Sequence, residues 1–335
     1  MKGGHERLRI GFIGAGGIAA RHIGVLSGMD DVAIIGIADP DFARAVDLAG
    51  RLGARAYNSH EELIESERLD AVYVCIPPFA HGEVEATVIA AGLPFFVEKP
   101  LSLDVATAER IACLVEEHHL ATAVGYHWRY LDTVEEARGL LAGNPAALVM
   151  GHWLDRTPPP QWWWRQDRSG GQVVEQATHI IDLARHLVGE VTEVYAQGAH
   201  TVPRIEFPDL DIATATAVSL RFASGAVGSL AATCLLDWGH RTGLHLFCNG
   251  LAIELSDREL MVDIGRGRPV RQAIGDPVER EDRDFLDAVR GLPNCVRCPY
   301  GEAFKTHRVA LAIAQSVVSR QPVAVDDFLG EPAGA

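Results

Sequence analysis

Apolar residues over the first 125 positions fall into two alternating rhythms. Short β-rich runs at Leu8–Ile13, Val32–Ala38, Ala71–Ile76, Phe95–Val97 and Thr122–Val124 are almost continuously apolar, which predicts strands buried on both faces. Between them Gly17–Ser27, Phe42–Leu52, Val84–Ala91 and Val105–His119 carry the three-to-four-residue spacing of helices. Asp39-Pro40 and Pro77-Pro78 close two of the runs, and Gly92 suits a helix C-cap. Such alternation predicts βαβ units in a doubly wound parallel sheet with helices on both faces.

Beyond residue 125 the rhythm changes. A helix is predicted over Leu131–Leu141, a Trp- and Pro-rich loop over Thr157–Trp164, and a helix after Gly170-Gly171. Runs at Val191–Gly198, Ile212–Phe222, Ala226–Leu235, Gly243–Cys248 and Leu251–Leu255 lack intervening helices, so antiparallel pairing is expected. Helical patterns around Asp282–Val289 and Glu302–Ser319 close the chain. The expected division is 1–125 and 126–335, with the C-terminal helix able to pack back on the first domain.

Composition supports two cores: 335 residues, 48% hydrophobic and 22% charged. A net charge of -15 repels phosphate backbones and anionic lipid, so neither nucleic acid nor a membrane is an expected partner. No apolar stretch is long enough to span a bilayer, and Met1–Arg7 carries no export-signal pattern, so a cytoplasmic protein is expected. Of six cysteines only Cys295 and Cys298 form C-x-x-C, with no second pair to complete a zinc site, so no metal is expected.

The chemistry begins at Gly14-Ala15-Gly16-Gly17-Ile18-Ala19, a G-x-G-x-x-A directly after a strand and opening a helix. Gly14 suits the tight turn, Gly16 lets backbone approach a pyrophosphate, and Ala19 permits close helix–strand packing. The helix N-terminus then offers N–H groups and a positive dipole end. Asp39 ends the second strand, where a carboxylate can accept both adenosine ribose hydroxyls and repel a 2′-phosphate; Pro40 and Asp41 follow rather than a cation. NAD is therefore expected over NADP, in a Rossmann domain. Glu98-Lys99-Pro100 ends the Phe95–Val97 strand, and strand carboxyl ends face the ligand crevice of such a sheet.

Four further segments carry a resemblance: Pro77-Pro78-Phe79-Ala80-His81, Glu98-Lys99-Pro100, Gly125-Tyr126-His127-Trp128-Arg129-Tyr130, and Gly170-Gly171 followed by Glu175-x-x-x-His179. With the dinucleotide turn, in this order, the chain resembles the glucose–fructose oxidoreductase, inositol dehydrogenase and MocA (Gfo/Idh/MocA) family over nearly its full length. The resemblance implies a Rossmann domain followed by an α+β domain with a large open antiparallel sheet, and often a Lys-Pro cis bond. It implies cofactor contacts at Gly14, Gly16, Gly17, Ile18, Asp39, Ile76, Pro77, His81, Glu98 and Lys99. Two departures stand out: Glu175 replaces the family's usual Asp, and Pro77 its usual Thr or Asn.

If the segment after the glycine pair is one helix, Glu175 and His179 share a face as i, i+4, and Asp182 can orient the His179 ring. The resemblance brings that face to the nicotinamide, opposite Lys99. An imidazole titrates near working pH, so His179 is the candidate acid/base; Lys99 would stabilise charge on the reacting oxygen, and Glu175 would bind a neighbouring hydroxyl or hold Lys99. The substrate expected is a sugar, inositol or related polyol, oxidised at a secondary alcohol. Substrate contacts are expected at Glu175 and His179 and from His127, Trp163, Trp164 and Arg165, each aromatic being open to an alternative role as a core or interface anchor. An NAD-retaining glycosidase and a non-catalytic nucleotide-binding regulator are the competing readings. The exposed sheet face predicts a homodimer or homotetramer.

Overall fold

The computed structural model describes residues 7–201 and 205–328. Residues 1–6, on which the reading of no export signal rests in part, lie outside them. The chain forms two compact units: residues 1–102, 107–127 and 276–302 make the first, and residues 103–106, 128–275 and 303–335 the second.

The first unit threads β1 (Leu8–Ile13), α1 (Gly17–Leu26), β2 (Val32–Ala38), α2 (Phe42–Gly50), β3 (Arg55–Tyr57), α3 (His60–Ser66), β4 (Ala71–Val74), α4 (Glu83–Ala90), β5 (Phe95–Val97), α5 (Val105–His118) and β6 (Thr122–Val124). Six parallel strands lie in the order β3-β2-β1-β4-β5-β6, so the chain reverses direction across the sheet between β1 and β4. That switch point opens a crevice at the strands' carboxyl ends. The register places Phe12, Tyr73 and Phe96 side by side on β1, β4 and β5. Their rings stack at 4.9 and 5.0 Å, and Phe285 meets the row edge-on.

Sequence rhythm predicts neither β3 nor α3, and it assigns the region of Phe285 to the second domain. Phe285 instead belongs to the first unit, where it and Leu286 are fully buried with the β1 and β4 core. A helix added late in the chain to a finished sheet leaves no mark in the order of elements.

The second unit holds α6 (Asp132–Leu141), β7 (Leu148–Arg156), α7 (Gln166–Ser169), α8 (Gln172–Glu175), α9 (Thr178–Val188), β8 (Val191–Ala199), β9 (Ala215–Phe222), β10 (Val227–Leu236), β11 (Arg241–Cys248), β12 (Leu251–Leu255), β13 (Glu259–Asp263) and β14 (Val270–Gln272). After α10 (Pro277–Val289) of the first unit come α11 (Tyr300–Ser319), which runs on into the second, and β15 (Val323–Ala324). Nine strands lie in the order β14-β13-β12-β11-β7-β10-β9-β8-β15. The sheet is mixed rather than wholly antiparallel, because β7 pairs in parallel with β10. The sequence reading misses β7, β13, β14 and β15. The signal for β7 was present in the alternation of exposed Leu148 and Met150 with buried Val149 and Gly151.

Ile180, Ile181 and Ala184 of α9 pack over Val149, Leu220, Leu230 and Leu244 of the sheet. The opposite face exposes Leu148, Met150, Tyr195, Val227 and Leu235. A buried ion pair ties α9 to the turn at residues 127–130: Arg129 Nε and Nη2 donate to the two Asp182 oxygens at 2.7 and 2.6 Å, and the Thr306 hydroxyl donates to Asp182 Oδ1 at 2.8 Å. Asp182 is thus committed to Arg129, and the expectation that it orients His179 is corrected. Removing one partner of such a pair strands a charge in the core. Asp182→Ala is expected to cost about 3–5 kcal/mol, read from denaturant midpoints, against which a loss under about 1 kcal/mol would contradict the buried pair.

Candidate active site

In the first unit the phosphate-binding turn is set by close backbone approach. Gly14 has φ +97°, and a Cβ there would lie 2.1 Å from the Cys75 carbonyl oxygen, so no other residue fits. Its N–H donates to the Ala38 carbonyl at 2.8 Å, joining the turn to the end of β2. Helix α1 has no side-chain N-cap and no acid in its first turn, and Gly16 and Gly17 border open space. Unclaimed N–H groups at a positive helix end, with room beside them, fit a pyrophosphate. Ile18 is exposed on the same turn.

Asp39 is held by the turn it serves. Its Oδ2 accepts the Ala15 N–H and its Oδ1 the Asp41 N–H, each at 2.8 Å. Ile76 and Pro77, half-buried, follow β4 on the other side of the switch point. His81 lies on the loop between β4 and α4. Its side chain is fully buried and its Nδ1 pairs with Glu85, whose other oxygen accepts the Gly82 N–H at 2.6 Å. Burial would raise the Glu85 carboxyl, but His81 and the Gly82 N–H outweigh this and hold it below its usual range. His81 thus orients its ring through Nδ1, and its buried Nε2 makes no hydrogen bond.

Glu98 and Lys99 leave the carboxyl end of β5, and the Lys99–Pro100 bond is cis. Glu98 is buried; its Oε2 accepts the Lys99 backbone N–H at 3.1 Å, and its Oε1 lies 3.1 Å from His22 Nε2. His22, on the second turn of α1, places Nδ1 2.8 Å from Asp282 of α10. Burial alone would push the imidazole down; the Asp282 and Glu98 carboxylates outweigh it and push it up to about 10, so His22 is an imidazolium at neutral pH. Burial also pushes the adjacent Glu281 carboxyl well above its usual range, with the His22 charge opposing and Asp282 and Glu98 adding to the rise. Gly125 explains its place in the motif, since a Cβ there would sit 2.5–2.7 Å from the Glu98 carboxyl atoms.

His22, Glu85, Glu281 and Asp282 escape the sequence reading. A signal existed for His22, which occupies the buried stripe of α1 with Ala19, Ile23 and Leu26. His127 is half-buried and feels both Glu98 and Lys99; burial and the Lys99 cation together lower its pKa.

In the second unit the expected Glu175–His179 helix is broken. Helix α8 ends at Glu175, and α9 starts at Thr178. The two residues therefore belong to different helices, joined through Gln176 and Ala177, and the i, i+4 face is corrected. His179 is 5% exposed, its ring within 20° of parallel to those of Trp128 and Trp153 at 6.2 and 5.8 Å. Trp153, from β7, was missed with its strand. The Glu175 Oε2 accepts the Trp163 indole N–H at 2.8 Å.

Trp163 and Trp164 take the anchoring one of their two expected roles. Both are buried with Ile212 and Cys234, and Trp164 donates to the Pro158 carbonyl at 2.8 Å. Neither offers the open ring face a carbohydrate would stack on. Arg165 is half-exposed and lies 3.4 Å from Asp167 and 3.3 Å from Asp211.

A parallel sheet with this turn, this acid and a lysine at its carboxyl edge defines a dinucleotide-binding oxidoreductase. The Gfo/Idh/MocA oxidoreductase family, NAD-binding Rossmann fold, matches residues 8–126, and the family's C-terminal domain matches residues 142–253. The chain belongs to this family. Myo-inositol 2-dehydrogenase of Thermotoga maritima is 31% identical over 246 residues, covering 72% of each chain. Inositol 2-dehydrogenase of Rubrobacter xylanophilus is 28% identical over 251 residues, covering 73% of this chain and 70% of the relative. Levoglucosan dehydrogenase in complex with NADH shares the fold at TM-score 0.85 and 21% identity, over 96% of this chain and 99% of that one. Among the described residues no helix is long and apolar enough to cross a membrane.

A histidine charged when folded but neutral when unfolded stabilises the fold below its unfolded pKa. That contribution is complete below about pH 6.5 and is lost as the pH rises through about 10. In urea titrations the wild-type midpoint is expected to fall across this window more steeply than that of His22→Gln; parallel pH curves would exclude a charged His22.

Proposed function

We propose that the protein oxidises a secondary alcohol of a sugar, inositol or related polyol with NAD, and reduces the corresponding ketone in reverse. The observation that carries this reading is Lys99, at the carboxyl edge of the nucleotide-binding sheet, its backbone gripped by the buried Glu98 carboxylate. The inositol dehydrogenases among its relatives support the substrate class. Asp39, fixed by two backbone N–H groups, supports NAD over NADP.

The Gly14–Ala19 turn and Asp39 would hold NAD, which would supply the hydride acceptor. The residues handle the proton and the oxygen. His179 takes the hydroxyl proton, and Lys99 donates a hydrogen bond to the same oxygen as negative charge develops there. Glu175 binds a neighbouring hydroxyl through the carboxylate that Trp163 orients. His127, kept neutral by burial and by Lys99, can donate to or accept from a further hydroxyl. The burial of His179 beside Trp128 and Trp153 limits water at the acid/base.

A panel of inositols, aldoses and glycosides with NAD and NADP, followed at the NADH band, tests the reading. We expect turnover of a polyol or sugar with preference for NAD, and a fall in kcat of about 10²–10⁴ in Lys99→Ala and His179→Ala. Most of the kcat surviving in His179→Ala would remove the base assignment. Net glycoside cleavage without NADH formation would favour the glycosidase instead.

We also read the open sheet face, where Leu148, Met150 and Val227 are exposed together near the start of β7 and β10, as the contact between copies of the chain. Light scattering should find a dimer or tetramer that Met150→Asp weakens; a monomeric wild type would overturn this.

A further inference from the structure

Glu98 is a carboxylate at 4% exposure, at the end of a strand whose own residues, Phe95, Phe96 and Val97, are all buried. Such a group holds its position only if partners satisfy it on every side. Three do so. The Lys99 N–H donates to Oε2, His22 meets Oε1, and the missing side chain of Gly125 leaves only enough room for the carboxyl. His22 is itself gripped, by Asp282 on Nδ1 and by the Tyr73 and Phe96 rings at 5.4 and 4.8 Å. It grows from α1, the helix whose first turn forms the phosphate site, about 7.5 Å along the axis from Gly17.

We propose that His22, braced by Asp282, is a positioning residue for Lys99: through Glu98 it fixes the lysine relative to the helix that binds the cofactor phosphates. One rigid element then carries both the phosphate-binding N–H groups and the brace of the Lys99 backbone. This rests on the reading of Lys99 as the group that stabilises charge on the reacting oxygen. Without His22, the Glu98 carboxylate loses its counter-charge and can turn away from the Lys99 N–H. The phosphate turn, built on Gly14, Asp39 and the α1 N-terminus, is untouched.

The chain contains only three lysines, Lys2, Lys99 and Lys305, so amine labelling followed by mass spectrometry reads Lys99 directly. His22→Gln keeps a donor of similar reach, and Asp282→Asn removes the brace without altering its shape, so one of the two serves if the other fails to fold. In the cofactor-free variants we expect the Lys99 labelling rate to change at least about threefold with Lys305 unchanged, and the NAD Kd, from tryptophan fluorescence, to stay within about threefold. With NAD and myo-inositol, or the best substrate of the panel, kcat should fall about 10- to 100-fold with KM little changed. In a Lys99→Ala background His22→Gln should cost less than about twofold more.

Unchanged Lys99 labelling, or an undiminished loss in the Lys99→Ala background, would overturn the proposal. So would one equivalent of bound metal that disappears in Glu281→Gln, since His22, Glu98 and Glu281 bring ligand atoms within 4.8 Å of one another. Lys99→Ala retaining wild-type kcat would defeat the reading of Lys99 while leaving the labelling result to report on positioning.

Discussion

The first unit depends on burying a charged imidazole between two carboxylates beside a row of aromatic rings. The Phe12–Tyr73–Phe96 row supplies low dielectric and tight packing, conditions that penalise any lone ion. His22 turns that penalty into a constraint. Because Glu98 and Asp282 come from different elements, satisfying the imidazole locks α1, β5 and α10 into one arrangement. The late helix α10 is therefore part of the nucleotide-binding unit, although some 150 residues of sequence, roughly, separate it from β6.

The second unit uses a comparable device of opposite composition. There a guanidinium, Arg129, is gripped bidentately by Asp182, with Thr306 completing the carboxylate's shell. The pair pins α9 just beyond His179, whose ring packs near those of Trp128 and Trp153. A histidine packed against rigid aromatic rings loses little entropy when it meets a substrate, which suits an acid/base.

Local chemistry was legible in the sequence wherever it depended on neighbours in the chain. The phosphate turn, Asp39 and the Glu98-Lys99-Pro100 segment each announce themselves by residue type at a strand exit. Long-range partners were not legible. Nothing in the helical spacing of residues 277–289 says that Asp282 meets His22, and nothing near Asp182 says that Arg129 takes both its oxygens. The break at Gln176–Ala177 was hidden too, because the helix-like spacing of Glu175 and His179 carries across a two-residue kink. Strand β7 was lost because its second half, His152 to Arg156, sets two apolar residues side by side among polar ones and masks the alternation of its first half. The tryptophan run could be placed on a loop but not oriented, since a buried indole and a sugar-facing one look alike in sequence.

Glu175 and Trp163 show why two positions can be inseparable. The extra methylene that distinguishes Glu from Asp carries the carboxylate to the Trp163 N–H, on a ring that is 1% exposed. Shortening Glu175 alone would withdraw the acceptor and leave a buried donor unmet, while replacing Trp163 alone would release a carboxylate whose direction the indole sets. Neither change is a small step when made first. A lineage holding this pair can drift to the shorter acid only by remodelling the loop at the same time, so the loop and the acid would be inherited as a single character.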